Sequence, residues 1–280
     1  MRLRTLLGDH PGTAALKNGS IRSDLVEFDF VPYSPTNKGF KPMVREAAFD
    51  VSEMAIVTYL MAKSFEKPMV LLPDVVLARF QHGHALYNAK AAKLTPSDLN
   101  GKRVGIRSFT TTTGAWLRGI LANDYGADVG TVQWVTFEDG HVGEAKDPPG
   151  VIRAAGDMTQ MLIAGELDAA IYGADMPKDD RLKSVIDNPE AAAREWYARH
   201  KMVPVNHMVV VTDELAKSNP DAVAELCRLL EAGRTAARQS GPIDVTPFGK
   251  EANRPCLDLL LSYARQQGLV SSQLTVESLF

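Results

Sequence analysis

Lys102-Arg103-Val104-Gly105-Ile106-Arg107-Ser108-Phe109-Thr110-Thr111-Thr112-Thr113-Gly114 follows the turn pair Asn100-Gly101 and reads as a short strand, a hydroxyl-rich loop and the start of a helix running from Gly114 to Asn123. Downstream the pattern repeats: Val132 to Phe137 is a strand, Thr159 to Gly165 a short helix and Leu167 to Tyr172 a further strand. Such a βαβαβ alternation predicts a parallel sheet covered by helices, and with it an α/β protein. Upstream, Leu3 to Leu7 leads through the polar loop Gly8 to Gly12 into a helix from Thr13 to Lys17, and Leu25 to Val31 alternates with the period of a half-buried strand. Phe49-Asp50-Val51-Ser52-Glu53-Met54 reads as a strand end turning into the apolar helix Ala55 to Ala62, with Ser52 as its N-cap. The tail is helical, from Asp221 to Ala237 behind Ser218-Asn219-Pro220 and from Arg254 to Gln267 before Gly268. Two extended segments, Leu77 to Asn88 and Val203 to Val211, flank the middle block. They predict one lobe inserted in another, residues 1–84 and 206–280 forming lobe I and 85–205 lobe II, with a ligand cleft at the hinge.

The chain has 280 residues, 45% of them hydrophobic and 23% charged, with a formal net charge of -3. These values suit a globular protein, and no run of Lys or Arg interleaved with aromatics marks a nucleic-acid groove. The 2 cysteines, Cys227 and Cys256, have neither disulfide-framework nor zinc spacing, which fits a reducing compartment. The stretch Met1 to His10 lacks the apolar core of a signal peptide, and no segment approaches the roughly 20 apolar residues of a membrane span. The expectation is a cytoplasmic protein without a membrane partner. Whether it forms a homo-oligomer is open.

Candidate site residues lie in the loops and crossings. His82 and His84, two apart in a segment read as extended, point to one side of it. They are open to three readings: acid-base groups, ordinary structural histidines or a metal pair. Glu53 sits at a strand end, where open α/β sheets place ligand groups, and equally fits a first-turn acid favoured by a helix dipole. Ser52 caps or contacts ligand. Arg107 with Thr110, Thr111, Thr112 and Thr113 sets hydroxyls, backbone N–H groups and a cation at a helix N-terminus, which suits an anion such as a carboxylate. Trp116 and Arg118 on the following helix are either packing or aromatic-acid contacts. His207 in the return crossing and His10 in the first loop complete the set.

Several of these stretches carry a resemblance. Phe49 to Met54 with Tyr59-Leu60-Met61-Ala62, Gly101 to Gly105, Trp116-Leu117-Arg118-Gly119-Ile120-Leu121 and the ending Leu274 to Phe280 resemble, in the same order, segments of the 4,5-dihydroxyphthalate decarboxylase family. The resemblance implies the two-lobed fold of type II periplasmic binding proteins and the decarboxylation of a hydroxylated aromatic acid; a base, an acid and an anion grip suffice for that chemistry, so no cofactor is expected and no metal is assigned. A small aromatic carboxylate would be the partner. It favours His82 as an acid-base residue, with Glu53 and His207 as further catalytic groups and the other residues named above binding substrate. One departure bears on the substrate: Gln81-His82 stands where the family carries an Arg-His pair, and an amide replaces a bidentate guanidinium fork. The rival reading is a non-catalytic solute-binding protein, because fold does not determine function.

Overall fold

The computed structural model describes residues 1–237 and 242–280. In chain order the elements are β1 (Arg2–Leu6), α1 (Pro11–Lys17), β2 (Glu27–Phe30), α2 (Phe40–Glu46), β3 (Val51–Ala55), α3 (Ile56–Ser64), β4 (Met69–Ala78), β5 (Ala85–Asn88), β6 (Arg103–Ile106), α4 (Thr112–Tyr125), β7 (Gln133–Thr136), β8 (Ile152–Arg153), α5 (Met158–Ala164), β9 (Ala169–Ile171), β10 (Leu182–Ser184), α6 (Pro189–His200), β11 (Val205–Thr212), α7 (Asp213–Ser218), α8 (Pro220–Ala236) and α9 (Lys250–Gln266). They form two compact units. The first holds Met1–Arg79, Val205–Leu261 and Val270–Phe280, the second Phe80–Pro204 and Ser262–Leu269. No helix among the described residues is long and apolar enough to cross a membrane.

The first unit is built on a five-stranded sheet of order β2-β1-β3-β11-β4. Strand β1 pairs parallel with β2 on one side and β3 on the other, whereas β11 runs antiparallel to both β3 and β4. The second unit has a six-stranded sheet of order β10-β5-β9-β6-β7-β8, in which β6 pairs parallel with β7 and β9 while β5 pairs antiparallel with both β9 and β10. Both sheets are therefore mixed, while β6, β7 and β9, the three strands of the βαβαβ block, are parallel as that pattern predicts. The alternation describes only strands linked by helices; β5 and β11 enter from the crossing segments in the opposite direction. Each unit nevertheless has a central strand whose crossover goes to one neighbour while a later strand lies on the other side. At that switch point an open sheet leaves a crevice beyond its strand ends.

Strand β3 corrects a second expectation. All five of its residues are buried, and it continues through Glu53 to Ala55. Pairing with β1 and β11 on its two edges holds this stretch extended where local sequence reads as a helix start. The helix α3 is capped by Ala55, with no side-chain cap, so Ser52 is not its N-cap; its hydroxyl donates to the Glu53 carbonyl at 2.6 Å. Nor is Glu53 a first-turn acid. The segment around His82 is likewise not extended, since the His84 N–H donates to the Gln81 carbonyl at 2.9 Å and closes a turn.

The first unit's core joins Leu3, Val51, Val209 and Val211 of the sheet with Leu16 of α1 and Leu226, Leu229 and Leu230 of α8. The helices α1 and α8 meet through small residues: a Cβ built on Gly233 would lie 2.4 Å from the Gly12 carbonyl oxygen. In an open helix interior Gly to Ala adds stability of roughly 1 kcal/mol, but here backbone would have to move. The expectation is that Gly233→Ala destabilises the protein by about 1–3 kcal/mol in urea unfolding; a gain in stability would show that the two helices part freely.

Candidate functional site

The two faces of β3 separate its side chains, with Val51, Glu53 and Ala55 on one and Ser52 and Met54 on the other. In the ladder with β11, Val209 lies opposite Glu53 and His207 opposite Ala55. His207 is thus the diagonal neighbour of Glu53 on the same face, close enough for long side chains to meet. Its Nδ1 lies 2.5 Å from Glu53 Oε1. From the other side comes the loop after β1: His10 Nε2 lies 2.9 Å from Glu53 Oε2, and the Gly8 N–H donates to the same oxygen at 2.8 Å.

That loop is held in shape by Thr13, whose hydroxyl donates to the Gly8 carbonyl at 2.7 Å and accepts from the His10 N–H at 3.0 Å. A Cβ on Gly8 would fall 2.8 Å from Glu53 Oε2 and 2.9 Å from His10 Nε2, so a larger residue there would push the carboxylate and the ring out of this arrangement. Phe40 packs edge-on to the His207 ring, centroids 5.2 Å apart.

Glu53 is 1% exposed. Burial alone would raise its pKa, but hydrogen bonds from His10 and His207 and the charges of those rings outweigh burial and hold it well below the usual carboxylate range. As an ionised acceptor it assigns the tautomers, because the nitrogen facing it on each ring must carry hydrogen. The remaining nitrogens, Nδ1 of His10 and Nε2 of His207, have no hydrogen-bond partner among the described residues. The side chains are 16% and 21% exposed, so water or a substrate can reach them. One carboxylate therefore orients two imidazoles, each with one nitrogen anchored and one open.

The second unit gathers the other candidates. The loop after β6 runs into α4, which begins at Thr112, earlier than the sequence pattern indicates, with the Thr111 hydroxyl accepting from the Gly114 N–H at 3.3 Å. Ser108 and Thr110 are buried with hydroxyls 3.2 Å apart, and Thr112 and Thr113 are buried in the first turn. Arg107 is half-exposed beside Glu138, 3.7 Å away. Arg118 is 1% exposed: its Nη2 donates to the Phe109 carbonyl at 2.7 Å, its Nε to Gln267 at 2.7 Å, and its guanidinium lies over the Phe109 ring. Among the described residues its Nη1 has no hydrogen-bond partner, and it lies 3.1 Å from where a Cβ of Gly114 would be, beside the helix N-terminus. Burial pushes the Arg118 pKa down to about 9, which leaves it cationic at neutral pH. Cation and helix end together can receive an anion.

Trp116 is fully buried, edge-on to Trp196 and Tyr263. His82 is buried near Trp196, and burial pushes its pKa down to about 4, so it is neutral. His84 Nδ1 lies 3.2 Å from the Tyr172 carbonyl. Among the candidates, then, the structure brings His10, Glu53 and His207 together in the first unit, with Ser52 adjacent in sequence but on the opposite strand face. It places His82, His84, Arg107, the threonines, Trp116 and Arg118 in the second unit. Gly8 lies outside the candidates read from the sequence; its signal there is a lone glycine ending an apolar strand just before Asp9-His10. No group of three His, Cys, Asp or Glu side chains among the described residues is arranged to hold a metal ion.

Two lobes, one interrupting the other in sequence, each with a mixed sheet and an open switch point, define a protein of the periplasmic-binding-protein fold. The chain is similar to a Candida albicans protein with that generic fold (10% identity, 99% of this chain and 93% of the other covered, TM-score 0.57) and to the alkanesulfonate-binding protein of Xanthomonas axonopodis pv. citri (12% identity, 99% and 96%, TM-score 0.54). A desulfurization enzyme is also similar (13% identity, 99% and 94%, TM-score 0.50), so the fold accommodates enzymes as well as binding proteins. In sequence the chain resembles proteins named 4,5-dihydroxyphthalate decarboxylase: one from Comamonas testosteroni, 28% identical over 251 residues (85% of this chain, 76% of the relative), and one from Pseudomonas putida, 26% identical over 212 residues (70% and 81%). No family model matches the chain.

Because the Glu53 pKa is depressed in the folded state, its hydrogen bonds stabilise the protein fully above its ordinary value of 4.5, and that contribution is lost as pH falls below it. Urea unfolding at a series of pH values should find the wild type more stable than Glu53→Gln at pH 7 and the difference shrinking below about pH 4.5. A difference that stays constant to pH 3 would contradict the ionised assignment.

Proposed function

We propose that the protein is a decarboxylase of a hydroxylated aromatic carboxylic acid of the 4,5-dihydroxyphthalate kind. The observation that carries this reading is the carboxylate shared by two imidazoles, and the names of the two sequence relatives support it. Direct loss of carbon dioxide from an aromatic ring would leave a ring carbanion, and protonating the ring carbon first avoids it. That route needs a base at a phenolic hydroxyl and an acid at the ring carbon.

Glu53 suits the two histidines to these opposite tasks, because one carboxylate balances the charge of one imidazolium while the other ring stays neutral. Neutral His10 takes the phenolic proton on Nδ1. The oxygen's electron pair moves into the ring, and the carbon bearing the carboxylate takes a proton from the His207 imidazolium. The bond to the carboxylate then breaks, its electron pair restores the aromatic ring, and carbon dioxide leaves. His10 returns its proton to the phenolate oxygen and His207 regains one from water, so each turnover consumes one proton. His82, neutral in the second unit, is assigned no step. The helix end at Thr111 and Arg118 is read separately as a carboxylate-binding feature of the second unit.

Carbon dioxide release from 4,5-dihydroxyphthalate tests the reading. Glu53→Gln offers an amide that must donate to one ring and so reverses a tautomer, which should lower kcat by about 10²–10⁴-fold, as should His207→Asn, with the fold retained. No release from any hydroxylated phthalate or benzoate by the wild type, with tight binding of one of them, would favour a solute-binding protein.

A further inference from the structure

The first unit contains a cavity of about 370 Å³ bounded by β4, the start of α1, the end of α8 and the segment before α9. Its walls are mainly aliphatic, from Val75, Leu77, Leu230, Ile243 and Val245. Three ionisable residues are among those that line it: His10, Asp74 and Arg234. Arg234 is occupied, donating to the Thr246 carbonyl and to Asp244. Asp74 is 4% exposed, and among the described residues its carboxyl receives no hydrogen bond. A lone acid inside the apolar run Met69–Ala78 is unusual, because a buried carboxyl without a donor is costly unless a ligand supplies one. Burial pushes its pKa up to about 6, against the opposing charges of Arg234 and His10.

We propose that this cavity is the ring pocket of the decarboxylase: it takes the hydroxylated edge of a single aromatic ring, Asp74 accepting a hydrogen bond from a ring hydroxyl beside His10. The inference rests on the function proposed above and deepens it by placing the hydroxyls. The volume is at the small end of the roughly 300–1,000 Å³ typical of ligand sites, suited to one ring. Aliphatic walls bury the ring faces, while the carboxyl selects a hydroxyl donor over a bare aromatic edge, because a buried polar group left unpaired penalises the analogue that lacks its partner. His10 joins the two features, lining the cavity while its Nε2 is anchored on Glu53. A catechol edge in the cavity therefore meets an oriented base.

The test uses the purified full chain and isothermal titration with catechol and benzene as probes, with carbon dioxide release from 4,5-dihydroxyphthalate measured in parallel. Wild-type protein is expected to bind catechol better than benzene. Asp74→Leu should weaken catechol about 10- to 100-fold and leave benzene within a few-fold. Ile243→Trp, a change at a half-buried loop position that fills the cavity, should weaken both probes and raise KM for the acid. Catechol affinity unchanged in folded Asp74→Leu and Ile243→Trp, or no catechol binding by wild type, overturns the pocket, and carbon dioxide release persisting in that case leaves the decarboxylase reading standing. Catechol binding that responds to both substitutions, in a wild type that releases no carbon dioxide, sustains the pocket and rejects the decarboxylase.

Discussion

The Glu53 carboxylate, 1% exposed and hydrogen-bonded by His10, His207 and the Gly8 N–H, is the interaction on which the first unit's chemistry depends. A buried negative charge is tolerated only with several donors, and each donor here comes from a different level of structure. His207 arrives by strand register, His10 by the loop after β1, and Gly8 by a close backbone approach that a Cβ would crowd. A register slip of one residue in β11 would turn His207 to the opposite face and leave Glu53 short of a partner. The same contacts that make the charge bearable also determine which ring nitrogens are free to act. The stability of the buried charge and the orientation of both rings thus have one source.

The two units repeat one solution with different chemistry. In each, a central strand with parallel neighbours on both sides ends in a loop that enters a helix: β1 into α1 and β6 into α4. The first unit equips that position with titratable groups. The second equips it with hydroxyls, a helix N-terminus and the buried cation Arg118. Proton transfer and anion attraction ask for different side chains, and the shared topology supplies the crevice for either.

Much of this is legible along the chain. The strand-loop-helix order and most helices follow from apolar periodicity and from Pro and Gly punctuation, because those signals are local. His10, Glu53 and His207 are recognisable as candidates, since polar groups at strand ends and crossings have few structural reasons to be there. Their grouping is not legible. The resemblance groups His82 with Glu53 and His207, whereas His10 and His207 are the rings that bond Glu53, the latter because β11 pairs beside β3 across more than 150 intervening residues. Ser52 resembles an N-cap by every local criterion, and edge-to-edge pairing on both sides of β3 overrides it. Asp74 stands out only once the cavity next to it is known.

The α/β class and the kinds of chemical group present are written in the chain alone, because they depend on composition and short-range period. The tertiary structure decided which strands run antiparallel, which imidazole nitrogens face Glu53 and which remain open, and where Asp74 meets a cavity. The physical reason is that each of these is a relation between residues far apart in the chain, set by strand register and close backbone approach, and no local pattern encodes either.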